Sequence, residues 1–297
     1  MKNVGGQAVI EGVMMKSPTG WSVAVRDPKG DIQHMTVRSR KLPVFLKLPV
    51  IRGVVALGQA LAIGVKAIEY SGGVAYDEEG EKALTPLSMT LTIATAILLA
   101  LGLFIVFPLY VTKLMGNFYS SIADSPLMFN LVDGVIRVAI FLLYVTAIGL
   151  WKEMRRIYEY HGAEHKVIYA YEAGEDLTVA NALKYKPYHP RCGTSFLLIV
   201  MVISIIVFSF VPQAWSFLWK FLSRLVLIPA IAGISYEMLK FSAKVQDSPV
   251  MGILAAPGMF LQRLTVREPD NSQIEVAIAA LKAVLVLDAE MESEKSC

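Results

Sequence analysis

Two long segments without a charged side chain constrain this chain more than any other feature of its sequence. Residues 83–112 and 192–219 are 30 and 28 residues long, and neither contains Asp, Glu, Lys or Arg. About 20 apolar residues in an α-helix cross the hydrocarbon core of a bilayer, so each segment is long enough to span it. Residues 127–151 and 217–239 are also apolar, with Asp133 and Arg137 near the start of the first and Lys220 and Arg224 near the start of the second. The sequence therefore predicts an α-helical integral membrane protein with about four transmembrane helices.

The composition agrees with this class. Hydrophobic residues make up 55% of the 297 residues, charged residues make up 18%, and the mean hydropathy is +0.53. We therefore expect the lipid bilayer as a partner, and a net charge of +3 is too small to predict nucleic acid. Two cysteines, Cys192 and Cys297, do not form a disulfide framework. Gly5, Gly6 and Glu11 interrupt the first apolar run, so we expect no secretory signal there.

The distribution of Lys and Arg predicts the orientation. Residues 1–86 carry 11 of the 28, the 152–193 loop carries seven, and residues 237–297 carry six. The two loops on the opposite side, 113–126 and 212–223, carry one each. By the positive-inside rule, both termini and the 152–193 loop are cytosolic.

Two arginines fall inside the predicted spans. Arg137 and Arg224 lie near the outer ends of their segments. We expect them to snorkel to the outer headgroups, with a buried pair between Arg137 and Asp133 as the alternative.

The N-terminal region has the pattern of strands. Residues 1–42 contain alternating segments on either side of Asp27–Gly30, which has turn chemistry, so a cytosolic β-hairpin is predicted. Residues 43–82 follow as an apolar helix and a polar linker. Because Arg52 lies near the start of that helix, we expect it to be interfacial or re-entrant rather than a span.

The remaining chain divides into two parts. Residues 83–240 form the four-span membrane domain, and residues 241–297 form a cytosolic C-terminal segment. Within the latter, 263–269 is predicted to be extended and 271–287 to be an amphipathic helix. We expect this segment to pack against the N-terminal hairpin as one small cytosolic α+β part.

A histidine motif in the 152–193 loop suggests chemistry. His161 and His165 are four residues apart, so on a helix they share one face and can bind one metal ion. Glu164 lies between them, where it can act as a base beside the metal. The order His-x-x-Glu-His is that of the inverted zincins. Two solvated histidines on a surface helix are the alternative.

Other candidate ligands come to the same side of the membrane in the predicted topology. His189 and Cys192 precede the third span, and Glu237 ends the fourth. Zn²⁺ accepts nitrogen, sulfur and carboxylate oxygen, so any of the three can complete a three-ligand catalytic site. Four ligands, namely His161, His165, His189 and Cys192, would instead close a structural site. Each of these three residues also has an ordinary structural alternative. His189 can be a hydrogen-bonding cap, Cys192 a reduced buried thiol, and Glu237 the partner of a nearby lysine.

Three blocks of sequence carry a resemblance. GGQAVIEGVMM at residues 5–15, HGAEHKVI at 161–168 and HPRCGTSF at 189–196 resemble the YqhQ-like family of bacterial membrane proteins. The resemblance covers essentially the whole chain. It implies a multi-pass protein of the bacterial cytoplasmic membrane, and the family is commonly labelled a predicted metal-dependent enzyme.

Three functions follow as hypotheses. The first is a metal-dependent hydrolase acting on a membrane-surface substrate, a peptide or a lipid-linked compound, with Glu164 as the base. The second is a non-enzymatic scaffold or assembly factor with a structural metal or none. The third is a transporter, which is disfavoured because ionisable residues are scarce near the middle of the spans.

Overall fold

Helices dominate the structure, which is a computed structural model. It describes residues 4–39, 42–76, 86–190, 192–212, 214–244 and 249–296. The strands come first, in the order β1 (Gly5–Val9), β2 (Gly12–Lys16), β3 (Gly20–Arg26) and β4 (Ile32–Arg38). The helices are α1 (Ile51–Ala75), α2 (Pro86–Leu101), α3 (Phe107–Gly116), α4 (Ser120–Asp124), α5 (Pro126–Ile148), α6 (Lys152–Glu172), α7 (Val179–Leu183), α8 (Thr194–Phe208), α9 (Phe217–Lys244), α10 (Pro249–Thr265) and α11 (Asn271–Ser296). A 3₁₀ turn (Val44–Lys47) precedes α1, and a π-helical segment (Gly102–Val106) joins α2 to α3.

The strands form one antiparallel meander in the order β1-β2-β3-β4. The predicted hairpin joins β3 to β4, where the backbone N–H of Gly30 donates to the carbonyl of Asp27 at 3.0 Å. The glycine-rich segment before it is a second hairpin that reverses at Ile10 and Glu11. Glu11 has a φ of 48° there, and both of its carboxylate oxygens accept hydrogen bonds from Arg156.

The sheet packs against α6 and α11. Their buried side chains form one apolar cluster, which includes Val13, Tyr160, Ile274 and Leu281. Buried polar groups join the same layers, because Asp288 accepts a hydrogen bond from Ser17 at 2.6 Å. The N-terminal sheet and the C-terminal helix α11 therefore pack together with α6, the helix that carries His161 and His165.

Four helices among the described residues are long and apolar enough to cross a membrane: 51–75, 90–116, 126–148 and 217–241. The number of candidate spans equals the predicted four, but one helix differs: α1 is included, and α8 is not. Helix α1, expected to be interfacial or re-entrant, has 25 residues and qualifies by length and composition. It also extends into the predicted linker, residues 71–82, of which 77–82 lie outside the described residues.

The predicted third span is shorter than its uncharged segment. Helix α8 has 15 residues and ends at Phe208, so it is about 22 Å long, less than a hydrocarbon core of about 30 Å. Pro212 accounts for part of this difference. It has no N–H, and its ring disfavours helical geometry at the residue before it.

The arginines in the spans do not snorkel. Arg224 and Asp133 are each 1% exposed, and the Arg137 side chain is 12% exposed. Both guanidinium groups bind Oδ2 of Asp133, at 2.6 Å from Arg137 and 3.0 Å from Arg224. The expectation of snorkelling is therefore wrong, because the single carboxylate on α5 holds both cations inside the helix bundle.

Candidate metal centre

Helix α6 carries the motif. Three residues, 149–151, separate it from the end of α5, and the hydroxyl of Tyr158 donates to the carbonyl of Val145 at 3.0 Å. The segment after α10 crosses α6 at Gly162, where a Cβ atom would lie 2.1 Å from the carbonyl oxygen of Arg267. Glycine at this position lets the two backbones approach, and the motif is covered from solvent.

Both imidazole rings of the motif are oriented by backbone carbonyls. Nδ1 of His161 lies 3.0 Å from the carbonyl oxygen of Thr265, and Nδ1 of His165 lies 2.6 Å from that of Pro187. A carbonyl only accepts, so each Nδ1 carries a proton, and in the neutral ring the Nε2 presents a lone pair. The Nε2 of His165 is buried and has no hydrogen-bond partner among the described residues. The two rings lie 4.5 Å apart between centroids.

Cys192 faces the same point from the loop before α8. Its Sγ lies 3.2 Å from Nε2 of His161 and accepts the backbone N–H of Thr194 at 3.4 Å. One ligand atom from each of His161, His165 and Cys192 lies within 4.8 Å of the others. Among the described residues, this is the group of three that can hold a metal ion.

Glu164 lies beside this cluster and is 5% exposed. Its Oε1 accepts the backbone N–H of Gly6 at 3.0 Å, and its Oε2 lies 4.0 Å from Nε2 of His161. Burial raises the pKa of Glu164 to about 7, although neighbouring His161 opposes the increase. Burial and the proximity of His161 lower the pKa of His165 to about 2, so its ring is neutral.

His189 lies near the cluster, but its ring nitrogen is directed elsewhere. Its ring centroid is 5.8 Å from that of His165, and its Nε2 lies 3.4 Å from Oε2 of Glu172. Gln262 holds the backbone of His189 through two hydrogen bonds of 2.8 Å. Burial lowers the pKa of His189 to about 4. The arrangement fits a histidine that is structurally held rather than a fourth ligand.

The structure does not bring Glu237 into the cluster. Both of its carboxylate oxygens bind the guanidinium group of Arg52, with Oε1 at 2.7 Å from Nε. Oε1 also accepts the backbone N–H of Val50 at 3.2 Å. Glu237 therefore connects α9 to the start of α1, and its charge is already compensated.

The donor atoms of the cluster, two imidazole nitrogens and one thiol sulfur, are of the types that Zn²⁺ accepts. At Zn–N and Zn–S bond lengths of about 2.0–2.3 Å, ligand atoms in a tetrahedral site lie roughly 3.3–3.8 Å apart. The distance of 3.2 Å between Nε2 of His161 and Sγ of Cys192 is close to this range, whereas the group as a whole extends to within 4.8 Å. The hydrogen bonds on both Nδ1 atoms are the outer contacts that usually fix metal-binding histidines. The unpartnered Nε2 of His165, a buried acceptor, also requires a partner.

Sequence reasoning missed the groups that orient these side chains. The carbonyls of Thr265 and Pro187 have no sequence signature, since any residue can supply a backbone oxygen. Gly6 is different, because the pair formed by Gly5 and Gly6 is visible in the sequence. A Cβ atom at residue 6 would lie 2.9 Å from Cγ of Glu164. Interpreting the glycine pair as a place of close backbone approach would have identified the contact with Glu164.

Comparison with known proteins identifies relatives of the whole chain. A family described as "Protein of unknown function (DUF1385)" matches residues 48–287, which include the cluster but not Gly6. "Uncharacterized protein YqhQ" of Bacillus subtilis (strain 168) is 33% identical over 307 residues, covering 98% of this chain and 95% of the relative. No solved structure matches.

Proposed function

The chain belongs to the YqhQ-like family of proteins of unknown function, DUF1385, and we propose that it is a metal-dependent hydrolase of the cytoplasmic membrane. One observation carries the proposal. His161, His165 and Cys192 place three ligand atoms within 4.8 Å of one another, and the Nε2 of His165 is buried without a partner among the described residues. Three protein ligands are the usual number for catalytic zinc, because they leave one position for water or substrate.

His161, His165 and Cys192 would hold the ion, and the two carbonyl hydrogen bonds keep the rings in the metal-binding tautomer. A bound Zn²⁺ would polarise a carbonyl or phosphoryl oxygen of the substrate and make water acidic enough to react near neutral pH. The cysteine makes the site softer than an all-histidine site, which favours zinc over magnesium or calcium.

Glu164 supplies the proton transfer in this proposal. Gly6 fixes one carboxylate oxygen, while the other faces the cluster. A carboxylate in that position takes a proton from the attacking water and returns it to the leaving group. Its burial keeps other water away from the proton that it carries.

The location of the cluster suggests the substrate class. Helix α6 follows α5 directly, so the cluster lies beside the end of a candidate span. The Lys and Arg distribution predicts that this end, like both termini, is cytosolic. A peptide or lipid-linked compound at the membrane surface would reach it.

A scaffold with a structural metal is the second candidate. The burial of His165 and Cys192, at 2% and 6% exposure, supports it, because a structural site needs no access for substrate. The number of ligands separates the two functions: structural zinc sites are almost always closed by four protein ligands, and the described cluster has three.

Metal analysis of the purified protein tests the centre. Wild-type protein prepared without chelators should contain about one zinc ion per chain, and the His161→Ala/His165→Ala variant should contain almost none. The matched control is His34→Ala, since His34 is exposed on β4. A metal-free wild type, or equal metal in the double variant and the control, contradicts the proposal.

A further inference from the structure

Helix α1 is long and apolar enough to cross a membrane, but the packing of the sheet on α6 limits the number of crossings. Glu11 in the β1–β2 turn binds Arg156 of α6, so the sheet and α6 lie on one side of any membrane that the chain spans. An even number of crossings must therefore separate them. Among the described residues, three candidate spans lie between β4 and α6: 51–75, 90–116 and 126–148. At least one of these three helices does not cross.

The side on which α6 lies is also where α9 ends, because α5 and α9 run in the same direction. Their starts pack together in the apolar cluster that contains Phe129 and Phe217. About two turns further along each helix, Arg224 of α9 lies 3.0 Å from Asp133 of α5. The C-terminal ends of both helices therefore lie on one side, and α6 follows α5 there.

Both halves of α1 are tied to this side. At its start, Arg52 pairs with Glu237 near the C-terminal end of α9. In its second half, Ala67 and Val74 pack into the apolar cluster of the sheet that includes Trp21. The helix has 25 residues and is about 37 Å long, so it connects two separate parts of the same side. A helix held in this way lies along the membrane surface rather than across the bilayer.

A second face of α1 is apolar and uncovered. Leu61, Val65 and Ile68 are spaced by four and three residues, so they lie on one face of the helix. All three are exposed, Leu61 by 63% and Ile68 by 52%. The 3₁₀ turn before α1 adds Val44 and Phe45, which are also exposed. Exposed apolar residues in this number mark a surface that contacts a membrane or another protein.

We infer that α1 lies in the membrane surface on the side of the sheet, with Leu61, Val65 and Ile68 in the boundary between lipid headgroups and acyl chains. The lipid is the occupant of this face because α1 begins beside the end of a candidate span and continues along the same surface. Helices with an apolar face and charged flanks bind in this plane. Lys47 and Lys66 occupy exposed positions on this segment, where they attract anionic headgroups.

The strand that holds the acid of the candidate metal centre lies against this helix. A Cβ atom at Gly64 of α1 would lie 3.3 Å from Oε1 of Gln7 on β1. The neighbouring Gly6 donates its backbone N–H to Glu164. A lipid-linked compound in this leaflet would therefore lie near Glu164. The surface position of α1 does not rest on the proposed hydrolase function.

Spin labels on the full-length protein test this position in liposomes of phosphatidylglycerol and phosphatidylethanolamine. Leu61→Cys, Val65→Cys and Ile68→Cys are made singly in a Cys297→Ser background, in which Cys192 is buried. Oxygen concentrates in the bilayer and a nickel chelate stays in water, so the accessibility of a label to each reagent measures its depth. All three labels should lie at one shallow depth, because the helix axis is parallel to the surface. Each variant should unfold at the temperature of the background protein, since the replaced side chains are exposed.

Two further exposed positions calibrate the depth. Leu99→Cys, within the candidate span 90–116, should be deep, and Lys29→Cys, in the β3–β4 turn, should be in water. A crossing helix would place residue 61 nearly as deep as residue 99, with residue 68 about 10 Å away in depth. That result overturns the inference, as do labels on α1 that are as accessible to nickel as residue 29. Labels shielded from both reagents would mean that a second copy of the chain or another protein covers this face, and would overturn it too.

Discussion

The backbone N–H of Gly6 donates a hydrogen bond of 3.0 Å to Oε1 of Glu164, 158 residues later in the chain. This hydrogen bond joins β1 to the middle of α6. The contact requires glycine, because a Cβ atom at residue 6 would lie 2.6 Å from the carbonyl oxygen of Met14 and 2.9 Å from Cγ of Glu164. The N-terminal sheet therefore positions the acid of the candidate site.

Gly6→Ala should displace Glu164 and destabilise the sheet. Overpacking of this kind costs about 1–3 kcal/mol, so we expect a lower unfolding temperature and weaker complementation of a deletion strain. The matched control is Gly5→Ala, since a Cβ atom at residue 5 meets nothing within 4 Å. Equal unfolding temperatures and equal complementation in the two variants would show that the Gly6 contact is unimportant.

The positions of the third and fourth candidate ligands lead to another prediction. Cys192→Ser should lower zinc content or affinity, because a hydroxyl is a poorer zinc ligand than a thiolate. His189→Ala should keep the zinc, since its Nε2 faces Glu172. Elemental analysis of both proteins at equal purity checks this. Loss of zinc in His189→Ala would instead make His189 a ligand and favour the closed structural site.

Glu237 should affect stability rather than metal content. Glu237→Gln removes the ion pair that joins α9 to Arg52 at the start of α1. We expect full zinc content and a lower unfolding temperature in detergent. Arg52→Gln is the companion variant, and the double variant should be little worse than either single one, because each removes the same interaction. A zinc-free Glu237→Gln protein would return this residue to the list of ligands.

The sequence predicted the parts of this structure that depend on local pattern. Spacing alone placed His161 and His165 on one helical face, and the absence of charge identified the apolar helices. The Asp27–Gly30 turn was visible from its residue types. These features depend on residues that are close together in the chain.

Long-range contacts decided the remaining features. Arg52 appeared to exclude α1 from the candidate spans, because its partner Glu237 lies 185 residues away. Arg224 appeared to need solvent for the same reason, since its partner Asp133 lies 91 residues earlier. The pair of Arg137 with Asp133 is local, and the sequence offered it as the alternative to snorkelling. A charge in an apolar segment therefore cannot be interpreted without its partner.

The proposed orientation can be tested by cysteine labelling on intact cells. Ser120→Cys and Lys29→Cys place a thiol at exposed positions on opposite sides of the predicted membrane. Both are made in a Cys297→Ser background, in which Cys192 is buried and should not react. A membrane-impermeant maleimide should label residue 120 in intact cells and residue 29 only after lysis. The reverse pattern would invert the orientation and place the histidine cluster outside.

Glu164→Gln decides between the hydrolase and the scaffold. The amide keeps the size of the side chain, and its oxygen can still accept the N–H of Gly6, so the fold and the zinc content should be retained. The amide cannot take a proton from water, so a hydrolase should fail to complement a deletion strain. In a structural site the same change should be nearly silent, because an amide can still orient its neighbours. Glu153→Gln, at an exposed position on the same helix, is the control and should complement fully. Complementation by a zinc-replete Glu164→Gln protein would refute the hydrolase, whereas loss of zinc would show that Glu164 is itself a ligand.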